Sequence, residues 1–429
     1  MKTVGWMAGA LIAVLLLSLL AFAQGKGWQG EVIGPHWSPG VEGVFEAHRK
    51  AGRTGGVAAA DYVAAGGMVK IGPMGHDHVV VLHFPASGAL QVTHVFVVGN
   101  RATVGKSFDL VKGLGVRRGG HDALSDKLAV EWQRTGEDQG EFWWIDPWTW
   151  ELDRCQLSGA NDAPVVSHSR PPWPKPNSDA LCLTSTQVDI CSKAGRSVID
   201  IVRAVREGTN GRTSLYEFDS GTDRWESQTI WPKLLAVPRL LMGEGGTWRV
   251  FCNAPSPSSI EGIGELDSGS NRLTSRVEMA NYVGNYAVLS DAAGKAYIIY
   301  QDFALTGGAA LSCTYEGDHG WQTDVIDKVG KPQAGDRPVW PDMRLAACVG
   351  PGNIIHVSYF DYAAHVVKCA TNAPGRWVNS VVAHAEAVSA TSVAVQGSRV
   401  LVAYGDVQKR AVFLAVADES GAEAGGSGE

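Results

Sequence analysis

Over most of its length the chain alternates apolar and polar positions in short runs. Glycine, proline, asparagine or aspartate breaks each run. That pattern belongs to short β-strands joined by tight turns. The clearest stretch lies toward the C-terminus. Pro341-Asp-Met-Arg-Leu-Ala-Ala-Cys348 alternates as a strand, and a turn follows at Gly350–Asn353. Ile354–Asp361 reads as a second strand, rich in β-branched and aromatic residues. Tyr362-Ala-Ala leads to a third strand at His365–Thr371, Asn372–Gly375 turns, and Trp377–Val382 is a fourth. Four antiparallel strands with glycine-bearing hairpins make one propeller blade.

The same unit recurs at Tyr286–Ile326, at Leu235–Val277 and at Ala180–Ile230, where Asn210-Gly211 reads as a turn. Less regular copies fall at Met68–Leu110 and His121–Leu157. A Trp-led phrase marks the fourth strand in Trp225-Glu-Ser-Gln-Thr-Ile230, Trp321-Gln-Thr-Asp-Val-Ile326 and Trp377-Val-Asn-Ser-Val-Val382. Val388–Ala417 supplies three strands (Val388–Val395, Val400–Asp406, Ala411–Ala417) but no Trp-led fourth. A displaced copy, Trp28-Gln-Gly-Glu-Val-Ile33, stands near the N-terminus. Self-similarity at a period of about 50 residues in a strand-rich chain means a propeller. Pairing Trp28–Ile33 beside Ala411–Ala417 joins the chain ends and covers a strand edge. The predicted fold is therefore all-β: a single seven-bladed β-propeller of four-stranded blades, closed by the N-terminal strand. Six or eight blades also fit, because the first two copies are weakly marked.

Outside the repeats, Lys2 precedes an apolar run from Val4 to Ala23 that ends Ala21-Phe22-Ala23. This reads as a signal peptide over 1–23, cleaved before Gln24. The rival is an uncleaved anchor, since the run is about 20 residues, near the span of a bilayer. Segment 24–33 is then the closing strand and 34–67 a Gly/Ala-rich extension with a short helix at Ala58–Ala64. Segment 68–417 is the propeller and 418–429 a disordered Gly/Ser/Glu tail. The expected location is secreted or periplasmic, with no membrane association after cleavage.

Composition agrees with this picture. The 52 glycines and 19% charged residues suit many strands and turns. A net charge of −7 without a basic stripe argues against nucleic acid as a partner. The seven cysteines are an odd number, so at least one thiol stays unpaired within the chain. Cys182 and Cys191 form the nearest candidate pair. Cys313 and Cys369 each sit eight residues before a repeat tryptophan and read as buried small apolar residues. No Cys-x-x-Cys and no nucleotide-binding glycine loop occur, so the sequence calls for no zinc and no cofactor.

In a propeller the innermost strands run in one direction. Their starts and the ends of the second strands therefore meet at one mouth, where rigidly framed loops carry function. The starts include His121 with Asp122, Asp179, Arg239, Asn285, and Asp342 with Arg344. The second-strand ends include Tyr300-Gln-Asp302, Tyr359-Phe-Asp361 and Tyr404-Gly-Asp406. Tyr and Asp at this spacing share one side of a strand. They make either a ring of phenols and carboxylates around a ligand, or repeat structure with Asp holding turn N–H groups and Tyr filling space between blades. Recurrence favours the second. His121-Asp122 is unique among the starts and suits a histidine–carboxylate base. His76 and His78 share a strand face near His83, but spacing assembles no three metal ligands. Trp148 and Trp173 each neighbour a proline on a loop and are candidates for stacking against sugar rings.

The unit Ile354-Ile-His-Val-Ser-Tyr-Phe-Asp361, continuing through Val367-Lys-Cys-Ala-Thr-Asn372 to Trp377, resembles blades of sialidase-like propellers with bacterial neuraminidase repeats. Gly120-His-Asp-Ala-Leu-Ser-Asp126, followed by Leu128-Ala-Val-Glu-Trp132, is similar to a branch that includes secreted polysaccharide lyases such as ulvan lyases. The family's Asp-box, Ser-x-Asp-x-Gly-x-x-Trp, is nowhere intact. Phe218-Asp-Ser-Gly-Thr-Asp-Arg-Trp225 has one residue too many before the tryptophan. The Phe-Arg-Ile-Pro start that places the first sialidase arginine is absent. The resemblance implies a glycan or polysaccharide partner at one channel mouth, with hydrolase or lyase action. Lyases of this group use His and Tyr as acid and base, with Arg neutralising a uronate. By chemical type, the resemblance gives these roles to His121, Tyr300 or Tyr359, and Arg344. Asp122 stands beside His121, and Arg239, Asp302, Asp361 and Asp342 are the ligand-binding set. The alternative function is a non-catalytic scaffold whose rim binds another protein, since propellers serve both ends.

Overall fold

The computed structural model describes residues 27–35, 68–83, 90–111, 129–146, 151–159, 162–172, 186–192, 198–207, 210–243, 246–254, 262–269, 272–278, 286–302, 309–329, 345–361, 363–372, 376–386, 388–406, 409 and 411–418. The expected leader at 1–23, the extension after Pro35, the Ala58–Ala64 helix and the tail after Asp418 lie outside the described residues.

The described chain forms seven four-stranded antiparallel sheets. Blade 1 holds β2 (Val69–Pro73), β3 (His78–His83), β4 (Leu90–Val98) and β5 (Arg101–Val111). Blade 2 holds β6 (Val130–Gly136), β7 (Gln139–Ile145), β8 (Leu152–Ser158) and β9 (Val165–Ser169). Blade 3 holds β10 (Thr186–Ser192), β11 (Val198–Glu207), β12 (Asn210–Asp219) and β13 (Arg224–Trp231). Blade 4 holds β14 (Ala236–Met242), β15 (Trp248–Ala254), β16 (Gly262–Asp267) and β17 (Thr274–Glu278). Blade 5 holds β18 (Tyr286–Ser290), β19 (Ala296–Asp302), β20 (Ala309–Gly317) and β21 (Gly320–Val329). Blade 6 holds β22 (Leu345–Val349), β23 (Ile355–Asp361), β24 (Val366–Thr371) and β25 (Val378–His384). Blade 7 combines β26 (Val388–Gln396), β27 (Arg399–Asp406) and β28 (Ala411–Asp418) with β1 (Gln29–Pro35) as its outer strand.

The N-terminal strand thus closes the ring as its sequence predicts. Glu31 pairs with Leu414 and Gln29 with Val416. The innermost strands β2, β6, β10, β14, β18, β22 and β26 each neighbour the next, and β26 returns to β2.

The hydrophobic core is divided into layers, one between each pair of adjacent blades. In β3, Val79 and Val81 pack toward blade 7, whereas Val80 and Leu82 pack toward blade 2. A two-residue period sends alternate side chains to opposite sheet faces, and here a blade lies against each face. Second strands are therefore buried on both faces, as in β23 and β27, where even His356, Ser358, Asp361 and Arg399 are enclosed. Outer strands have lost one covering neighbour and carry polar residues, as in β13 and β21.

Two boundaries differ from the sequence reading. Blade 2 continues past Leu157 to its fourth strand, β9. Asn210-Gly211 is not the turn of blade 3: Asn210 pairs with Glu207 and Gly211 with Arg206. The glycine instead admits Leu234, whose Cβ would lie 2.7 Å from a Cβ at position 211. Cys313 and Cys369 are buried as expected. Cys191 carries a free thiol, and its suggested partner Cys182 lies outside the described residues.

Candidate functional site

The innermost strand of a blade has one edge without a strand partner, so its backbone groups face the channel. A charged side chain there is reached by channel solvent and by the neighbouring inner strands. Four innermost strands insert one charge between apolar residues: Val69-Lys70-Ile71, Val130-Glu131-Trp132, Val188-Asp189-Ile190 and Pro238-Arg239-Leu240. They belong to blades 1, 2, 3 and 4 in succession, so the ring sets them side by side along the channel wall.

Lys70 Nζ lies 3.7 Å from Glu131 Oε2, and the Glu131 side chain is 24% exposed. Glu131 Oε1 accepts a 3.0 Å hydrogen bond from Ser192 Oγ of blade 3. Asp189 Oδ2 accepts the backbone N–H of Leu240 at 2.8 Å, which satisfies a free-edge donor of blade 4. Arg239 reaches on to blade 5, where its Nε donates to the Tyr286 carbonyl at 3.3 Å and its guanidinium lies 5.6 Å over the Tyr286 ring. Its Nη1 donates to the Pro238 carbonyl at 3.2 Å. Each of blades 1 to 4 is thus tied to the next by a side chain on the channel wall.

The electrostatics bind the four into one group. Burial pushes the Glu131 carboxyl above its usual range, against the pull of Lys70 and Ser192, and the charge of Asp189 adds to the rise. Burial also raises Asp189, opposed by Arg239, by the N–H bonds it accepts and by Lys70. Two carboxyls inclined to hold a proton therefore stand beside two cations. Such a set can donate a proton and receive an anion at neighbouring positions.

The residues expected from sequence are placed differently from one another. Arg239 stands in the channel group. Tyr300 lies between blades 4 and 5, with its hydroxyl 3.2 Å from Thr314 Oγ1. Tyr359 is fully buried between blades 5 and 6 and donates to Asp327 Oδ2 at 2.7 Å. Burial raises the Tyr359 hydroxyl far above its usual range, with Asp327 adding to the rise. Asp361 Oδ1 accepts the backbone N–H groups of Ala363 and Ala364, and its Oδ2 accepts Lys368 Nζ at 2.8 Å. In blade 7, Tyr404 packs between blades and Asp406 accepts the Lys409 N–H. The Tyr-x-Asp of blades 6 and 7 is therefore blade architecture, as its recurrence favours. The structure does not bring Tyr300 and Tyr359 into the channel group.

His121, Asp122, Trp148, Trp173, Asp342 and Arg344 lie outside the described residues, as does the side chain of Asp302. His78 contacts His94 Nδ1 at 2.9 Å and Asp138 Oδ1 at 3.2 Å, in a cluster that joins blades 1 and 2. Lys70, Glu131 and Asp189 were missed from sequence. Their signal was the lone charge between apolar neighbours at the matching strand of successive repeats.

The sequence matches no protein-family model and no curated protein, so the sialidase-like resemblance has no support from a family model. Among solved structures, the chain is similar to a polysaccharide lyase, Uly1, with a TM-score of 0.47 and 9% identity. The match covers 81% of this chain and 90% of that one. It is also similar to a mutant Aleuria aurantia lectin in complex with α-methyl-L-fucoside, at 0.45 and 12%, over 73% and 95% of the two chains. A third is a Penicillium chrysogenum α-L-arabinanase complexed with arabinobiose, at 0.42 and 12%, over 68% and 93%.

Proposed function

We propose that the protein is an exported carbohydrate-binding propeller whose channel wall, over blades 1 to 4, takes an acidic glycan chain and presents it to Glu131 as a general acid. The supporting observation is the juxtaposition of Lys70, Glu131, Asp189 and Arg239. Ring closure alone does not require charge here: Ser392 of blade 7 holds the Ile71 N–H of blade 1 with a neutral hydroxyl at 3.2 Å. Buried or half-buried ionisable groups cost stability unless paired, and this pairing is incomplete. Lys70 meets Glu131 only at 3.7 Å, and the contacts of Arg239 are to two carbonyl oxygens and one ring.

The chemistry follows from the raised carboxyls. A proton on Glu131 cancels the charge that faces Lys70 and frees the ammonium for a sugar carboxylate. The same proton is available to the oxygen of a departing sugar, in hydrolysis or in elimination. Arg239, 5.6 Å from the Tyr286 ring centroid, offers a second anion contact further along the wall. The apolar leader Val4–Ala23 supports export.

The test is a panel of uronate-containing and sialylated glycans offered to the purified protein, with binding and product release both recorded. Lys70→Ala and Arg239→Ala should weaken binding by about tenfold each, the worth of one charge-assisted contact. Glu131→Gln should retain binding and lose turnover. Absence of binding and of product across the panel would remove the reading.

A further inference from the structure

Polar side chains on facing blades bond one another across the junctions, and where blade 7 meets blade 1 Arg399 of β27 bonds Asp77 of blade 1. Arg249 of blade 4 meets Glu316 of blade 5 at 2.7 Å, Lys368 of blade 6 meets Asp327 of blade 5 at 2.8 Å, and Trp225 of blade 3 donates to Ser169 of blade 2 at 3.2 Å. Farther out at the junction of blades 7 and 1, between β1 and β5, the facing side chains leave a half-open cavity of about 340 Å³. Its polar lining is Gln29 and Glu31 from β1, with Asn100, Arg101 and Thr103 from blade 1.

Glu31 and Arg101 carry opposite charges into this cavity, yet form no ion pair with each other or with any other described residue. Against β1 the chain places Gly30, and against β5 Ala102, so the space is not filled by larger side chains.

We propose that this cavity is a second binding site, for a neutral saccharide of one or two rings. Three features select that class. The lining mixes acceptors (Glu31 and the Gln29 amide oxygen) with donors (Arg101, Thr103), and a sugar hydroxyl both accepts and donates. The opposed charges cancel, so Glu31 disfavours an anion and Arg101 disfavours a cation. The volume lies at the small end of ligand pockets. The site is separate from the channel wall. A blade is four strands across, so about 14 Å of sheet lies between outer and innermost strands.

Saturation-transfer NMR on the full chain with D-galactose, D-mannose, L-fucose, N-acetyl-D-glucosamine and maltose tests the site. At least one sugar should show transfer in the wild type and equally in Arg239→Ala, which weakens the channel. Transfer should fall about tenfold in Arg101→Ala and in Glu31→Ala. Both side chains are exposed, so melting temperatures should be unchanged. Lack of transfer from every sugar, or transfer that survives both rim substitutions, overturns the proposal. Loss in Arg239→Ala but not in the rim variants would assign the binding to the channel instead.

Discussion

Trp28 Nε1 donates a 3.1 Å hydrogen bond to Ser380 Oγ, across 352 positions of sequence. Trp28 leads the outer strand of blade 7, and Ser380 lies in the outer strand of blade 6. Trp225 and Ser169 repeat the relation between blades 3 and 2. Trp321 and Trp377 likewise pack against the preceding blade. The tryptophan of the repeated phrase is therefore a clasp between blades, and at Trp28 it also fastens the N-terminal strand. Trp28→Ala should cost about 3–5 kcal/mol, measured by urea unfolding. Trp28→Phe, which keeps the packing and loses the bond, should cost about half as much. An unchanged unfolding midpoint in the alanine variant would refute the clasp.

A second junction depends on glycine. The Trp132 ring lies against Gly140 of its own blade and Gly72 of blade 1, where an added Cβ would come within 2.2 and 2.6 Å of ring atoms. Gly72→Ala and Gly140→Ala should each destabilise by about 1–3 kcal/mol through overpacking. Pairing either one with Trp132→Leu should recover part of the loss.

The junction of blades 4 and 5 holds charges. Glu265, 2% exposed, accepts from Arg249 and, at 2.5 Å, from Arg276, while Arg249 also bonds Glu316. Neighbouring carboxylates raise the Arg249 guanidinium above its usual value despite burial. Glu265→Gln should cost about 3–5 kcal/mol, because it leaves Arg276 without its carboxylate and Arg249 with Glu316 alone. Arg276→Leu should cost less, since Glu265 retains Arg249. The order of the two midpoints in urea checks this.

Two buried histidines set an acid limit. Burial lowers His94 to about 4, with His78 and Lys106 contributing, and burial lowers His356 to about 4. An unfolded histidine protonates near 6.5, so the unfolded chain binds more protons between those values. The stability these groups contribute is complete above pH 6.5 and is lost as pH falls toward about 4. Urea midpoints should decline over that window, and less steeply in His356→Leu. A flat profile in the wild type would contradict the assignment.

The propeller was legible because each blade is packed on both faces. That requirement writes itself into the sequence as second strands rich in β-branched and aromatic residues and a tryptophan clasp at a regular interval. The weak marking of blades 1 and 2 has a physical source: Trp132 with its glycines, and the His78–His94 contact, replace the usual phrase. The channel group was harder to read. Lys70, Glu131 and Asp189 look like ordinary polar positions of half-exposed strands, and only ring closure turns their strands' free edges toward one another. Arg239 was accessible because it belongs to the start of an innermost strand. Tyr359 and Asp361 fitted a site by type, but their neighbours Asp327 and Lys368 come from other strands that local pattern does not connect.

Co-crystallisation with a uronate-containing oligosaccharide would decide the matter most directly. The account predicts density within the channel, with a sugar carboxylate at Lys70 or Arg239 and a glycosidic oxygen within hydrogen-bond reach of Glu131. A ligand found only elsewhere, with the Lys70–Glu131 and Asp189–Leu240 contacts undisturbed and the channel empty, would contradict it.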